Sequence, residues 1–288
     1  MWNRNVETFI GCDKDFQDAD IVIFGAPFDS TTSYRPGARF GSKSIRSESF
    51  GLETYSPYQD KDINEIDVFD GGDLELCFGD TVAALSAISE TVKEIITNNK
   101  LPFMIGGEHL VTFGAVREMV CKYPDLQIVH FDAHTDLRDD YLGAKLSHAT
   151  VIRRCHDLVG DGKIVQFGIR SGEKAEFEFA KYHTIFHPFN FHGLENVVEQ
   201  LQGKPVYFTL DLDILDPSVF PGTGTPEAGG VSFIQLLNAI ISLGRLNIVG
   251  CDVVELAPIY DQSGSSTAVA CKIVRELLLA ISNQKENI

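Results

Sequence analysis

Residues 128–138 read I-V-H-F-D-A-H-T-D-L-R, and residues 207–216 read Y-F-T-L-D-L-D-I-L-D. In an extended chain alternate side chains share a face. Asp132, His134 and Asp136 therefore project from one side of the first segment, and Asp211 and Asp213 from one side of the second. Carboxylates gathered at the ends of apolar runs repel one another and need a neutralising partner. A metal centre is the chemistry this pattern predicts. Two more ionisable groups follow apolar runs: His109 in G-G-E-H after L-P-F-M-I, and Glu255 after C-D-V-V. His130 shares the parity of the first cluster and reads as a strand residue or a support for a ligand. His183, His187 and His192 have no comparable surroundings and read as structural.

Charge balance predicts the number of ions. Asp132, Asp136, Asp211 and Asp213 bring four negative charges, and neutral His109 and His134 bring none. Two divalent cations cancel that charge and can share bridging carboxylates. A single zinc takes fewer ligands and prefers nitrogen and sulfur, whereas six ligands rich in carboxylate oxygen suit two Mn²⁺. Two close metals acidify a shared water at neutral pH and clamp developing charge.

These residues need elements to position them. Short apolar runs recur at 20–27, 101–107, 126–132, 163–170, 183–187, 205–211 and 248–256. They do not alternate cleanly between polar and apolar, as expected of strands buried on both faces of a parallel sheet. Between them lie helical stretches. Residues 80–98 set Val82, Leu85, Ile88, Val92 and Ile95 at three- and four-residue spacing, and 232–243 and 264–282 read the same way, the first with Ser232 as N-cap. Strand and helix alternate from end to end, which predicts a doubly wound α/β fold in one domain over 1–288. Sites in such sheets form outside the carboxyl ends of the strands, where each polar cluster here falls. The tail S-N-Q-K-E-N-I (282–288) reads as frayed.

Composition narrows the class. The 288 residues carry a formal net charge of -17 and are 44% hydrophobic, which argues against nucleic acid and anionic membrane surfaces as partners. The six cysteines are scattered, with no C-x-x-C, the usage of reduced thiols. The N-terminus lacks the organisation of a signal peptide, and no segment reaches the ~18 apolar residues of a membrane span. A cytoplasmic protein is expected.

Together, G-G-E-H (106–109), F-D-A-H-T-D-L-R (131–138), S-H-A-T (147–150), D-L-D-I-L-D-P (211–217), P-G-T-G-T-P-E-A-G-G (221–230) and the glutamate of D-V-V-E (252–255) resemble the ureohydrolase family of arginases and agmatinases, most nearly its bacterial agmatinase branch. The resemblance implies a three-layer α/β/α domain around a parallel sheet of about eight strands, assembled as a homo-trimer or homo-hexamer. It implies two Mn²⁺ per chain: Asp132 and Asp211 bridging, His109 and Asp136 completing one ion, His134 and Asp213 the other. Glu255 would hold the substrate guanidinium, which suits a carboxylate facing a planar fork of N–H donors. Thr225 aligns with a threonine that supports that glutamate. His148 falls where the family places a proton-relaying histidine, although S-H-A-T departs from the H-G-T of other branches. Asp136 would pass a proton to the leaving amine.

The implied reaction is hydrolysis of a guanidino group to urea and an amine. A two-metal phosphoesterase is the rival enzyme, but D-x-H falls mid-chain and no G-N-H occurs. A catalytically inactive metal-binding scaffold is the non-enzyme alternative, set against by the retention of all six ligands and Glu255. For the substrate, arginases carry S-G-N-x-H-G after the aspartate cluster, whereas this chain has D-D-Y-L-G-A-K-L-S-H-A-T (139–150). A small cationic substrate, agmatine, is therefore expected, with Asp139 and Asp140 placed to favour its ammonium. Arg138 beside them is a candidate for binding a carboxylate, which keeps guanidinobutyrate and formiminoglutamate as alternatives; arginase activity on the same metal site is a further one.

Overall fold

The computed structural model describes residues 7–282; of the tail expected to fray, 283–288 lie outside the described residues. Ten strands alternate with eight α-helices there: β1 (Ile21–Ala26), α1 (Gly41–Ser49), β2 (Tyr55–Ser56), β3 (Lys61–Asp62), β4 (Val68–Asp73), α2 (Thr81–Thr97), β5 (Leu101–Gly106), α3 (Val111–Lys122), β6 (Gln127–Phe131), α4 (Val151–Val159), β7 (Ile164–Ile169), α5 (Lys174–His183), β8 (Ile185–Pro188), α6 (Leu194–Gln200), β9 (Pro205–Asp211), α7 (Phe233–Leu243), β10 (Asn247–Val254) and α8 (Ser265–Ile281). β2 and β3 form a small antiparallel pair. The other eight strands form one sheet in the order β4-β1-β5-β10-β9-β6-β7-β8, with every pairing parallel.

The strands are apolar on both faces because helices cover both. Along β1, Ile21 and Ile23 join the core on one side while Val22 and Phe24 join the core on the other. β9 splits the same way, with Val206, Phe208 and Leu210 opposite Tyr207. Helices α2, α3 and α4 pack over one face, and α1, α6, α7 and α8 over the other. This is the three-layer, doubly wound α/β/α arrangement anticipated from the alternating pattern.

Side-chain caps start two of the helices. Ser232 caps α7 by accepting the Gln235 N–H, and the Gln235 side chain accepts from the Ser232 N–H in return. Asp80 caps α2 through the Ala83 N–H. Along α2, Leu85, Ile88, Val92 and Ile95 are buried as their spacing predicts, but Val82 in the first turn is 59% exposed, because the helix enters the layer only after that turn. Strand β4, V-F-D-G-G-D, is an edge strand made up largely of two aspartates and two glycines, so no apolar run marks it.

The ends of β5, β10, β9 and β6, the four central neighbours of the sheet, face one side. Close backbone approach there requires Gly107: a Cβ at this position would lie 1.9 Å from the Phe28 carbonyl oxygen. Phe208 sits beneath this edge, fully buried, with its ring edge-on to Phe131 at 5.0 Å between centroids. Phe208→Ala is expected to cost about 3–5 kcal/mol in denaturant-induced unfolding; a loss under about 1 kcal/mol would show that this centre repacks and does not anchor the sheet.

Candidate metal centre

Four neighbouring strands deliver the cluster. His109 follows β5, Glu255 follows β10, Asp211 ends β9 with Asp213 in the next turn, and Asp132, His134 and Asp136 follow β6. All are buried except His134, which is partly exposed toward a cavity of about 240 Å³. Two of the seven sit in the left-handed backbone region, Asp136 at φ 52 and Glu255 at φ 68. Such conformations are unfavourable for non-glycine residues and concentrate at functional sites, where the chain turns sharply to aim a side chain.

His109 shows what the cluster is built to hold. Its Nε2 lies 2.9 Å from the Thr209 hydroxyl, and that hydroxyl donates to Asp252 at 2.6 Å. The Thr209 oxygen must then accept, so Nε2 carries the ring proton and Nδ1 presents a lone pair. Nδ1 is buried, 3.1–3.3 Å from carboxylate oxygens of Asp132, Asp136 and Asp211, yet aligned with none of them as a hydrogen bond. Ligands about 2.1 Å from one octahedral ion sit about 3 Å apart. A lone pair and three carboxylates at that spacing fit a divalent cation.

The second half repeats the pattern. His134 Nδ1 is 3.0 Å from Asp213 Oδ2 and 3.4 Å from Asp132 Oδ1. Most of the aspartates are fixed by a backbone donor: Asp132 Oδ1 accepts from the His134 N–H, Asp211 Oδ1 from the Asp213 N–H and Asp213 Oδ1 from the Ala133 N–H. His130 supports Asp132: its Nδ1 accepts from Gln166, leaving Nε2–H to donate to Asp132 Oδ2 at 2.8 Å. These outer contacts set ligand orientation, as around metal-bound histidines and carboxylates generally.

Electrostatics point the same way. Burial and the neighbouring Asp132 push Asp136 up to about 7. Burial, then Asp213 and Asp132, raise Asp211 well above the carboxylate range. Burial likewise raises Glu255, with Glu108 adding to the shift. Asp132, despite a burial that opposes ionisation, is held low by the three imidazoles around it, those of His109, His130 and His134. Carboxylates pushed toward their neutral forms in a dry space are stabilised as anions by cations placed among them.

The remaining predicted residues divide. Glu255 and His148 line the cavity. Glu255 accepts the His109 N–H at 2.8 Å, which joins the guanidinium candidate to the metal loop. His148 Nε2 accepts from the Ser33 N–H at 3.2 Å and contacts the Ser33 hydroxyl at 2.9 Å; burial, then the nearby His134, lower its value to about 4, below the neutral range its residue type suggests. Thr225 lines the cavity together with Glu255, and its hydroxyl donates to Asp213 Oδ2 at 3.3 Å. Arg138 lines the cavity with its charge engaged by Glu173 at 3.1 Å and Glu176 at 3.4 Å, and it lies over the Tyr141 ring. Asp139 and Asp140 do not line it: Asp139 pairs with Arg154 and Asp140 accepts the Gly143 N–H within its own exposed turn.

Several residues escaped the reading of the sequence. Glu108, fully buried beside His109, accepts from Thr31 and Thr32 and is raised by burial to about 7. It ties the 27–37 segment over the cavity, and the hydroxyl run S-T-T-S (30–33) was its signal. Glu173 and Glu176 on the cavity wall, and Asp252 behind Thr209, had no motif to mark them.

The profile of the arginase family matches residues 19–280. The chain is 47% identical to the agmatinase of Bacillus anthracis over 278 residues, 95% of this chain and 96% of that protein. It is 34% identical to the human mitochondrial guanidino acid hydrolase, over 91% of this chain and 78% of that one. The crystal structure of the agmatine ureohydrolase of Thermoplasma volcanium superposes with a TM-score of 0.90 at 33% identity, covering 99% of this chain and 98% of that one.

Asp132→Asn and Asp211→Asn are each expected to weaken divalent-metal binding about 100-fold or more, and Thr209→Val, which removes the acceptor for the His109 ring proton, about 10–100-fold. Elemental analysis and metal titration of folded protein measure this. Wild-type metal content in either aspartate variant would contradict the assignment.

Proposed function

The chain belongs to the arginase family and is a ureohydrolase of it, and on that premise we propose that it hydrolyses agmatine to putrescine and urea with two Mn²⁺ per chain. Asp132, Asp211, His109, Asp136, His134 and Asp213 would hold the ions. Ions so held supply an acidified water and a clamp for developing charge.

The observation that carries the reading is Glu255 at the wall of the same cavity as the metal cluster, tied by its carboxylate to the backbone of His109. A guanidinium presents coplanar N–H donors that suit a carboxylate, and in a water-poor site that pairing positions the carbon beside the metals. Asp136, beside His109 at the cavity, is the group that passes a proton to the departing amine. His148, kept neutral at pH 7 by its burial, lines the same cavity and is the group that relays a proton.

The far end of the substrate selects between ammonium and carboxylate. Arg138 is the cation closest to a carboxylate-binding role, but Glu173 and Glu176 both pair with it. Two carboxylates against one guanidinium leave that wall anionic, which favours the ammonium of agmatine over an acid. The agmatinases among the relatives support the same choice. One domain over 1–288, a homo-trimer or homo-hexamer and a cytoplasmic location complete the reading; no helix among the described residues is long and apolar enough to cross a membrane.

Glu255→Gln keeps the shape of the side chain and removes the anion. A loss of about 100-fold or more in kcat/KM is expected, with metal content unchanged; loss of the metals instead would make Glu255 a ligand support. Urea release from agmatine, guanidinobutyrate, formiminoglutamate and arginine, in wild type and in Arg138→Ala, tests the substrate. Agmatine is expected to be preferred in both proteins. Preference for an acid that Arg138→Ala abolishes would replace agmatine by a guanidino acid.

A further inference from the structure

A second group of metal-type side chains lies outside the cavity, at the far end of the α4 and α5 layer. His156 on α4, Asp161 in the turn after it and His183 at the end of α5 place their ligand atoms within 4.8 Å of one another. His156 Nε2 and His183 Nδ1 each lie 2.8 Å from the same oxygen, Asp161 Oδ1. We propose that these three side chains form a mononuclear divalent-metal site of zinc type, separate from the manganese cluster, that clips the end of α4 to the end of α5.

Two imidazoles and one carboxylate with a fourth position open to water are a zinc donor set. The two rings are already held in place. Phe179 stacks on His183 at 4.1 Å between centroids and meets His156 edge-on at 5.0 Å. A metal on His156 Nε2 places the ring proton on Nδ1, which is buried with no hydrogen-bond partner, so the affinity of the site carries the cost of that unpaired N–H. Asp161 supplies the adjustment. Ligands about 2.0–2.2 Å from a tetrahedral zinc sit about 3.4 Å apart, so the carboxylate must draw back by about half an ångström from its present hydrogen bonds. Asp161 lies between Gly160 at φ 84 and Gly162 at φ 72, with open space around both, and its side chain is 66% exposed. It has the freedom to make that shift.

The three ligands converge only when α4 and α5 are folded side by side, so an ion there binds the native chain and not the unfolded one. The experiment is zinc titration of the purified protein in excess Mn²⁺, by calorimetry and thermal melting, for wild type, His183→Ala, His183→Gln and Asp161→Asn. Wild type is expected to take up one more zinc per chain than each variant, and to melt about 4 °C higher once zinc exceeds its Kd a hundredfold. The variants should lack both responses while releasing urea at the wild-type rate. Equal zinc uptake and equal melting shifts in all four proteins, as zinc exchange into the manganese cluster would give, overturn the proposal.

Discussion

Four aspartates meet in a space from which water is largely excluded, and the rest of the molecule is arranged around that repulsion. Without compensation the site resists ionisation: burial and the neighbouring anions push Asp136 and Asp211 toward their neutral forms. The fold holds the acids together all the same. It does so with backbone N–H groups that pin three of the aspartates, and with His109 and His134, whose lone pairs face the same gap. The arrangement has the form of a cage for cations.

The sheet topology makes the cage possible. β5, β10, β9 and β6 are adjacent and parallel, so their carboxyl ends open on one side and each adds a candidate ligand or Glu255. Behind them the support becomes progressively drier. Asp252 accepts from Tyr207 and Thr209, Thr209 accepts from His109, and His130 leans on Gln166. This ordering fixes the tautomer of His109 from below and leaves the upper side of the cluster for substrate. The apolar layers beneath, with Phe208 against Phe131, hold the strand ends in register.

Much of this was legible in the sequence because parallel strands and period-two ligands both leave simple patterns. Seven of the eight main strands show as apolar runs, and the six candidate ligands converge as their strand ends require. The eighth, β4, escaped because an edge strand needs no continuous apolar face. Val82 was misplaced because a helix's first turn can follow the stripe and still lie outside the layer. The least legible part was the cavity wall. Asp139 and Asp140 are adjacent to the cluster in sequence but turn outward, whereas Glu173 and Glu176 reach it from the start of α5. Spacing along a strand predicts which face a residue takes, while loop paths depend on tertiary packing.

The central claim is that the buried carboxylates hold two cations whose joint presence makes the site active toward agmatine. Chelator-treated protein titrated with Mn²⁺, with electron paramagnetic resonance and urea release measured on the same samples, tests it most directly. The account predicts an exchange-coupled signal from paired ions, saturation at two per chain, and urea release that reaches its maximum only as the second ion enters. Full activity with one magnetically isolated ion per chain would contradict it.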